Sequence, residues 1–185
     1  VAAASSPGCL VTNGMSDYAR QGANCNAALL VGVTPADFPS NHPLAGMEWQ
    51  ETLEQAAFQL GGGNYRAPVQ LIGDFLAGKA SQDLGGIVPT YRPGVTLTEL
   101  GGLFPAYLRE SLQQGILAMD RQLPGFAKPD GLLTAIESRS SSPVRILRDA
   151  QGQASLAGLF PAGEGAGYAG GIVSAAVDGM KEAEC

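Results

Sequence analysis

The residues with the most chemical content lie in one stretch, GLFPAGEGAGYAGG, from Gly158 to Gly171. Six of these fourteen residues are glycine. Bare backbone lets N–H groups approach a ligand closely, and a helix that follows directs its positive end at an anion or an electron-rich ring. Tight turns with close helix-to-strand packing explain the same composition. No Lys-Ser or Lys-Thr follows, so the stretch is not a Walker A loop, and its spacing is not the G-x-G-x-x-G that opens a βαβ unit. Glu164 is its only carboxylate. A carboxylate there repels phosphate but accepts hydrogen bonds from ribose or ribityl hydroxyls.

Other candidates carry a plain reading beside the chemical one. Asn13-Gly14-Met15-Ser16 is either an ordinary N-G turn or a ligand-facing loop. Ser140-Ser141-Ser142-Pro143 with Arg145 offers hydroxyl and cationic contacts, though a strand-connecting turn also explains the serines. Arg66 in NYRAP and Arg92 in TYRPG stand beside tyrosines, where a bidentate pair would hold a carboxylate substrate; solvated loop arginines have the same look. His42 is the sole histidine and precedes Pro43 at a helix start, which suits local packing. With no second histidine and no G-x-S-x-G elbow, hydrolase chemistry is disfavoured. Asp17 and Tyr18 are polar neighbours with no assignable proton-transfer role. Cys9, Cys25 and Cys185 form an odd set without C-x-x-C spacing, so no metal site or disulfide framework is expected, and reduced thiols suit a cytoplasmic protein.

These residues need a scaffold, and 185 residues with 45% hydrophobic content suffice for one medium domain or two small ones. Charged residues make up 15%, against about 25% in a typical domain. A net charge of -6 with scattered Lys and Arg argues against nucleic acid. No apolar run reaches the roughly 18 residues of a bilayer span. Residues 1–12 fit a hairpin turning at Pro7-Gly8, and NAALLVGVTP reads as a buried strand. Apolar spacing from Leu44 to Leu60 predicts an amphipathic helix stopped by Gly61-Gly62-Gly63. A short helical candidate runs from Val69 to Leu76, and Thr96 with Glu99 forms a capping box before a second long helix, Phe104 to Leu123. LLTAIES, PVRILRD and SLAGLFPAG read as strands, and Ile172, Val173, Ala176, Val177 and Met180 mark a closing helix. Strands at both ends with helices between them predict an α+β chain in which one domain interrupts another.

Four separated motifs, LVTNGMS, NYRAPVQLIGDFL, RSSSPVRILRD and GLFPAGEGAGYAGGIVSAAVDG, closely resemble the C-terminal half of a family of bacterial FAD-dependent dehydrogenases within the two-dinucleotide-binding-domain flavoprotein superfamily. The resemblance implies a partial FAD-binding domain, 1–34 with 129–185, and an inserted, mainly helical cap or substrate domain, 35–128. It implies FAD and a small-molecule substrate as partners, with no nucleic acid or membrane. Carried over by position, Gly163, Glu164 and Gly165 lie by the ribityl and pyrophosphate, and Ala169, Gly170, Gly171 and Ile172 by the flavin ring. Asn13, Gly14 and Met15 match a near-flavin loop, and Ser142, Pro143 and Arg145 become cofactor contacts. Family members carry an N-terminal Rossmann segment with G-x-G-x-x-G that is missing from this sequence. The expectation is therefore a fragment, apo or weakly loaded, with self-association through a surface built to face the absent segment. Intact, it would be a flavin-dependent oxidoreductase working by hydride transfer. The alternative is a flavoprotein-fold binding module without turnover, since one scaffold hosts many functions.

Overall fold

The computed structural model describes residues 5–16 and 18–184. They form a mixed α/β fold with a three-stranded sheet and four α-helices among the described residues. Contacts group the chain into two compact units, Val1–Val33 with Glu51–Ser138 and Thr34–Gln50 with Arg139–Cys185.

The first unit holds the sheet, ordered β2-β1-β3 from β1 (Ala67–Leu71), β2 (Val95–Leu97) and β3 (Leu132–Thr134). Strand β1 is central, parallel to β2 with Ala67 opposite Val95 and antiparallel to β3 with Leu71 opposite Leu132. Its residues Ala67 to Gln70 are all buried. Burial on both faces removes the polar alternation that marks a half-exposed strand, so Val69 to Leu76 carries the apolar spacing of a helix. Only its second part is one, α2 (Ile72–Ala77). Gln70 is the buried polar exception. Its Nε2 donates to the Lys79 carbonyl at 2.7 Å and its Oε1 accepts the Leu100 N–H at 2.8 Å. Nearby, the Ser81 hydroxyl donates to Asp74 at 2.7 Å, which holds that carboxyl below its ordinary range with help from Lys79.

Helix α1 (Ala45–Leu60) matches the amphipathic pattern and ends at Gly61 as the glycine run requires. Helix α3 (Ala106–Gln122) buries Leu108 and Ile116. Ile116, Ala57, Phe75, Leu100 and Ile136 meet in one core with Leu10. Leu10 arrives on an extended segment whose N–H donates to the Glu54 carbonyl at 3.0 Å, while the Thr12 N–H donates to Ile136 at 2.7 Å.

The expectation of strands at the chain ends and helices in the middle is corrected. Strands β1 and β2 lie inside 35–128, the stretch read as mainly helical, whereas β3 falls in LLTAIES, which reads as a strand. NAALLVGVTP, PVRILRD and SLAGLFPAG contain no strand. They have β-type composition, but strand formation needs a partner edge, and composition does not encode one. The Pro7-Gly8 turn is present, with the Cys9 N–H bonded to Ser6 at 3.0 Å. Residues 9–12 pair with no hairpin partner among the described residues, and residues 1–4 of that hairpin lie outside them.

Thr96 and Glu99 do not form a capping box. Thr96 lies in β2 and its hydroxyl donates to the Gly61 carbonyl at 2.7 Å. Glu99 caps a 3-10 turn, Gly101–Leu103, accepting the N–H groups of Gly101 at 2.7 Å and Gly102 at 3.0 Å. Glu99→Ala orphans both donors, and we expect a loss of about 1 kcal/mol, read as a lower urea midpoint at unchanged slope. An unchanged midpoint would show that water replaces the cap at no cost.

Candidate functional site

The glycine-rich stretch folds as expected into a loop running into α4 (Ile172–Ala183). Gly163 and Gly167 take positive φ, and the loop closes through Gly167 N–H to Glu164 O at 2.9 Å and Tyr168 N–H to Gly163 O at 3.0 Å. At Gly167 a side chain is also excluded by contact, because a Cβ would run into the Val144 carbonyl oxygen. The segment before the loop clips onto it. Ile146 N–H donates to Ala166 O at 3.1 Å, and Arg145 Nε donates to Gly167 O at 3.0 Å. The Ser142 hydroxyl donates to Val144 O at 2.8 Å, with Gly165 O at 3.2 Å.

Beneath the loop sits a cluster centred on Arg148. Its guanidinium makes a bidentate pair with Asp178 at 2.8 and 3.0 Å, donates to Pro161 O at 2.8 Å, and reaches Glu182 at 3.0 Å. The Tyr168 ring covers one guanidinium face, 3.7 Å from Cζ to centroid. Asp178 also accepts the Gly163 N–H at 2.8 Å. Hydrogen bonding from Arg148, and then from Gly163, holds the Asp178 carboxyl down at about 2, against 3.8 for an ordinary aspartate. A depressed native pKa means that the unfolded chain takes up the proton first on acidification. The stabilisation is therefore complete above about pH 4 and is lost as pH falls through about 2. We expect the thermal midpoint to drop across this window and the drop to shrink in Asp178→Asn; equal slopes in both proteins would contradict the assignment.

Beside the loop lies an open cleft of about 250 Å³, lined by Gln50, Arg139, Ser141, Ser142, Pro143, Glu164 and Gly165. It combines two hydroxyls, a guanidinium, an amide and a carboxylate, a set suited to a polyhydroxylated or anionic ligand. Ser142, Pro143, Glu164 and Gly165, named from sequence in two separate stretches, thus share one cleft. Gly163 stands at the loop base, and Arg145 is turned onto the Gly167 carbonyl. Gly170 and Ile172 are exposed, with Ala169 and Gly171 half-buried between and beside them. Asn13, Gly14 and Met15 belong to the first unit and are exposed; Asn26 Nδ2 donates to Met15 O at 3.1 Å, a local closure. Arg66 and Arg92 are also exposed in that unit, and Arg66 donates to the Val95 carbonyl at the end of the sheet. Arg139 and Gln50 lining the cleft, and the Arg148–Asp178–Glu182 cluster, were not singled out from sequence. The i,i+4 spacing of Asp178 and Glu182 on one helix face was the available signal.

The sequence pattern of the family described as FAD-dependent protein, C-terminal domain-like, matches residues 1–140. The chain belongs to this family. The match to this flavoprotein family stops before Ser141, so the cleft's serines and the glycine-rich loop lie outside the matched span. Similarity to an uncharacterized protein of Clostridium beijerinckii extends further, at 52% identity over all 185 residues. The chain spans 35% of that relative's length. Among the described residues, no helix is long and apolar enough to cross a membrane and no group of three or more metal-ligating side chains occurs; Cys9 is buried and Cys25 exposed.

Proposed function

We propose that this chain is the C-terminal, cofactor-contacting part of a flavin-dependent oxidoreductase, and that the cleft beside the glycine-rich loop takes the ribityl and diphosphate portion of FAD. The observation that carries the reading is the state of Gly165 and Gly170. Neither takes a positive φ, and a Cβ on either would meet no atom within 4 Å. Local conformation and the packing of this chain leave glycine unexplained there, whereas close approach of a ligand to the backbone explains it. The cleft residues fit the group. Arg139 and the Ser141 hydroxyl supply donors for phosphate oxygens and hydroxyls, while Glu164 and the Ser142 oxygen, whose own proton goes to Val144 O, accept from ribityl hydroxyls. Gly170, Gly171 and Ile172, with Ala169, would lie against the flavin ring at the start of α4.

Bound FAD would supply hydride transfer, while the protein binds and orients it. Asn13, Gly14 and Met15 are proposed as further flavin contacts, and Arg66 and Arg92 as anchors for a carboxylate on a small-molecule substrate. An arginine carries five N–H donors, so the bond from Arg66 to Val95 leaves others for a ligand. In this reading 1–34 with 129–185 serves FAD and 35–128 serves substrate, in a cytoplasmic protein that binds no nucleic acid and self-associates when it lacks an N-terminal Rossmann segment.

The test is FAD titration followed by flavin fluorescence, with Gly165→Val beside the unsubstituted chain. Weak but saturable binding is expected, at least about tenfold weaker in the variant, with melting temperature unchanged because the new side chain enters open space. Equal affinity in both, or no saturable binding, would sink the cleft assignment. Bleaching of the bound flavin by NADH or NADPH separates an oxidoreductase from a binding module without turnover.

A further inference from the structure

We propose that Arg148 and Asp178 are positioning residues that hold the glycine-rich loop in its ligand-ready shape without touching the ligand, an inference that rests on the flavin reading above. An arginine beside a cofactor loop is the natural partner for a phosphate. Here it is turned inward. Both terminal nitrogens are committed, to Pro161 and Asp178 on one side and to Asp178 and Glu182 on the other, and only 15% of the side chain is exposed. Asp178 and Glu182 already occupy both terminal nitrogens, which leaves the guanidinium no free fork of donors for a phosphate.

What the cluster holds is the loop itself. Pro161 is bonded through its carbonyl, Gly163 through its N–H, and Tyr168 through its ring, so the anchors bracket Glu164 to Gly167 on both sides. The other end of each tether is α4, where Asp178 and Glu182 stand one turn apart on a rigid element. A loop so fixed loses less freedom when a ligand orders it, and affinity gains by that difference.

The experiment compares the unsubstituted chain with Asp178→Asn in two readouts at a temperature where far-ultraviolet circular dichroism shows both folded. In the first, amide hydrogen exchange over residues 163–168 is expected to quicken about tenfold in the variant. In the second, affinities for FAD, FMN and riboflavin are expected to fall by one common factor of about ten, because a misplaced loop serves all three equally badly. A loss confined to FAD and FMN would overturn the proposal and make the cluster a direct phosphate site. Unchanged exchange would also overturn it. Should Asp178→Asn fail to fold, Tyr168→Leu keeps the ion pair and removes one bracket, with about threefold effects expected in both readouts. If the unsubstituted chain binds none of the three flavins, the flavin reading fails, and hydrogen exchange alone decides the positioning role.

Discussion

Replacing Gly167 by valine should collapse the glycine-rich loop and lower stability by about 2–5 kcal/mol, the sum of two independent penalties. The residue sits at φ +83, a left-handed conformation that costs a side-chain-bearing residue about 1–2 kcal/mol and a β-branched one more. A Cβ there also collides with the Val144 carbonyl, a backbone atom that cannot rotate aside as a side chain would, adding about 1–3 kcal/mol of overpacking. Relief requires parting the loop from 144–146, which breaks the Ile146–Ala166 and Arg145–Gly167 bonds. Thermal melting together with exchange over 163–168 checks the result, and a variant that melts like the parent with a protected loop would refute it. Gly165→Val should behave differently. Two residues away in the same loop, a larger side chain should leave stability intact and weaken flavin binding, because Gly165 faces open space. One glycine answers to the fold and the other, in the flavin reading, to a guest.

In Gln70→Leu the side chain keeps about its volume and loses both polar bonds. The Leu100 N–H, in a residue only 2% exposed, is left without an acceptor, at about 1–3 kcal/mol for the orphaned group. The Lys79 carbonyl is more exposed and recovers part of its loss from water. A net destabilisation of about 2–3 kcal/mol is expected, measured as a lower denaturant midpoint with an unchanged slope. Because Gln70 links the central strand to the turn after α2 and to the 3-10 segment, exchange should quicken at Lys79 and Leu100 before the rest of the sheet. A midpoint equal to the parent's would mean that added apolar burial offsets both lost bonds.

Helices α1, α3 and α4 were legible in sequence because their apolar residues recur with a local period and their ends carry local stop signals. Gly61 to Gly63 stopped α1 where expected. The strands were not legible in the same way. Val69 to Leu76 holds a strand and a helix in one apolar run, and the division between them follows from what lies beside β1 on each edge. PVRILRD has the composition of a strand, yet in the fold Arg148 is drawn under the loop by Asp178 and Glu182, thirty residues and more away. Thr96 and Glu99 have the spacing of a capping box, but Thr96 is claimed by the sheet and Glu99 turns forward to Gly101 and Gly102.

The sequence by itself determined that a glycine-dense loop leads into a final helix, that two longer helices precede it, and that residues 1–140 carry the pattern of a family of FAD-dependent proteins. Each of these depends on residues close together in the chain, where periodicity, capping and glycine's conformational freedom act within a few positions. The tertiary structure alone decided which strands pair, that Ser142, Pro143, Glu164 and Gly165 share a cleft with Arg139 and Gln50, and that Arg148 faces inward. Those outcomes depend on contacts between segments far apart in sequence. A β-type run becomes a strand only beside a free edge, and an arginine becomes a ligand contact or an internal tether according to which carboxylates the fold places within 3 Å of it.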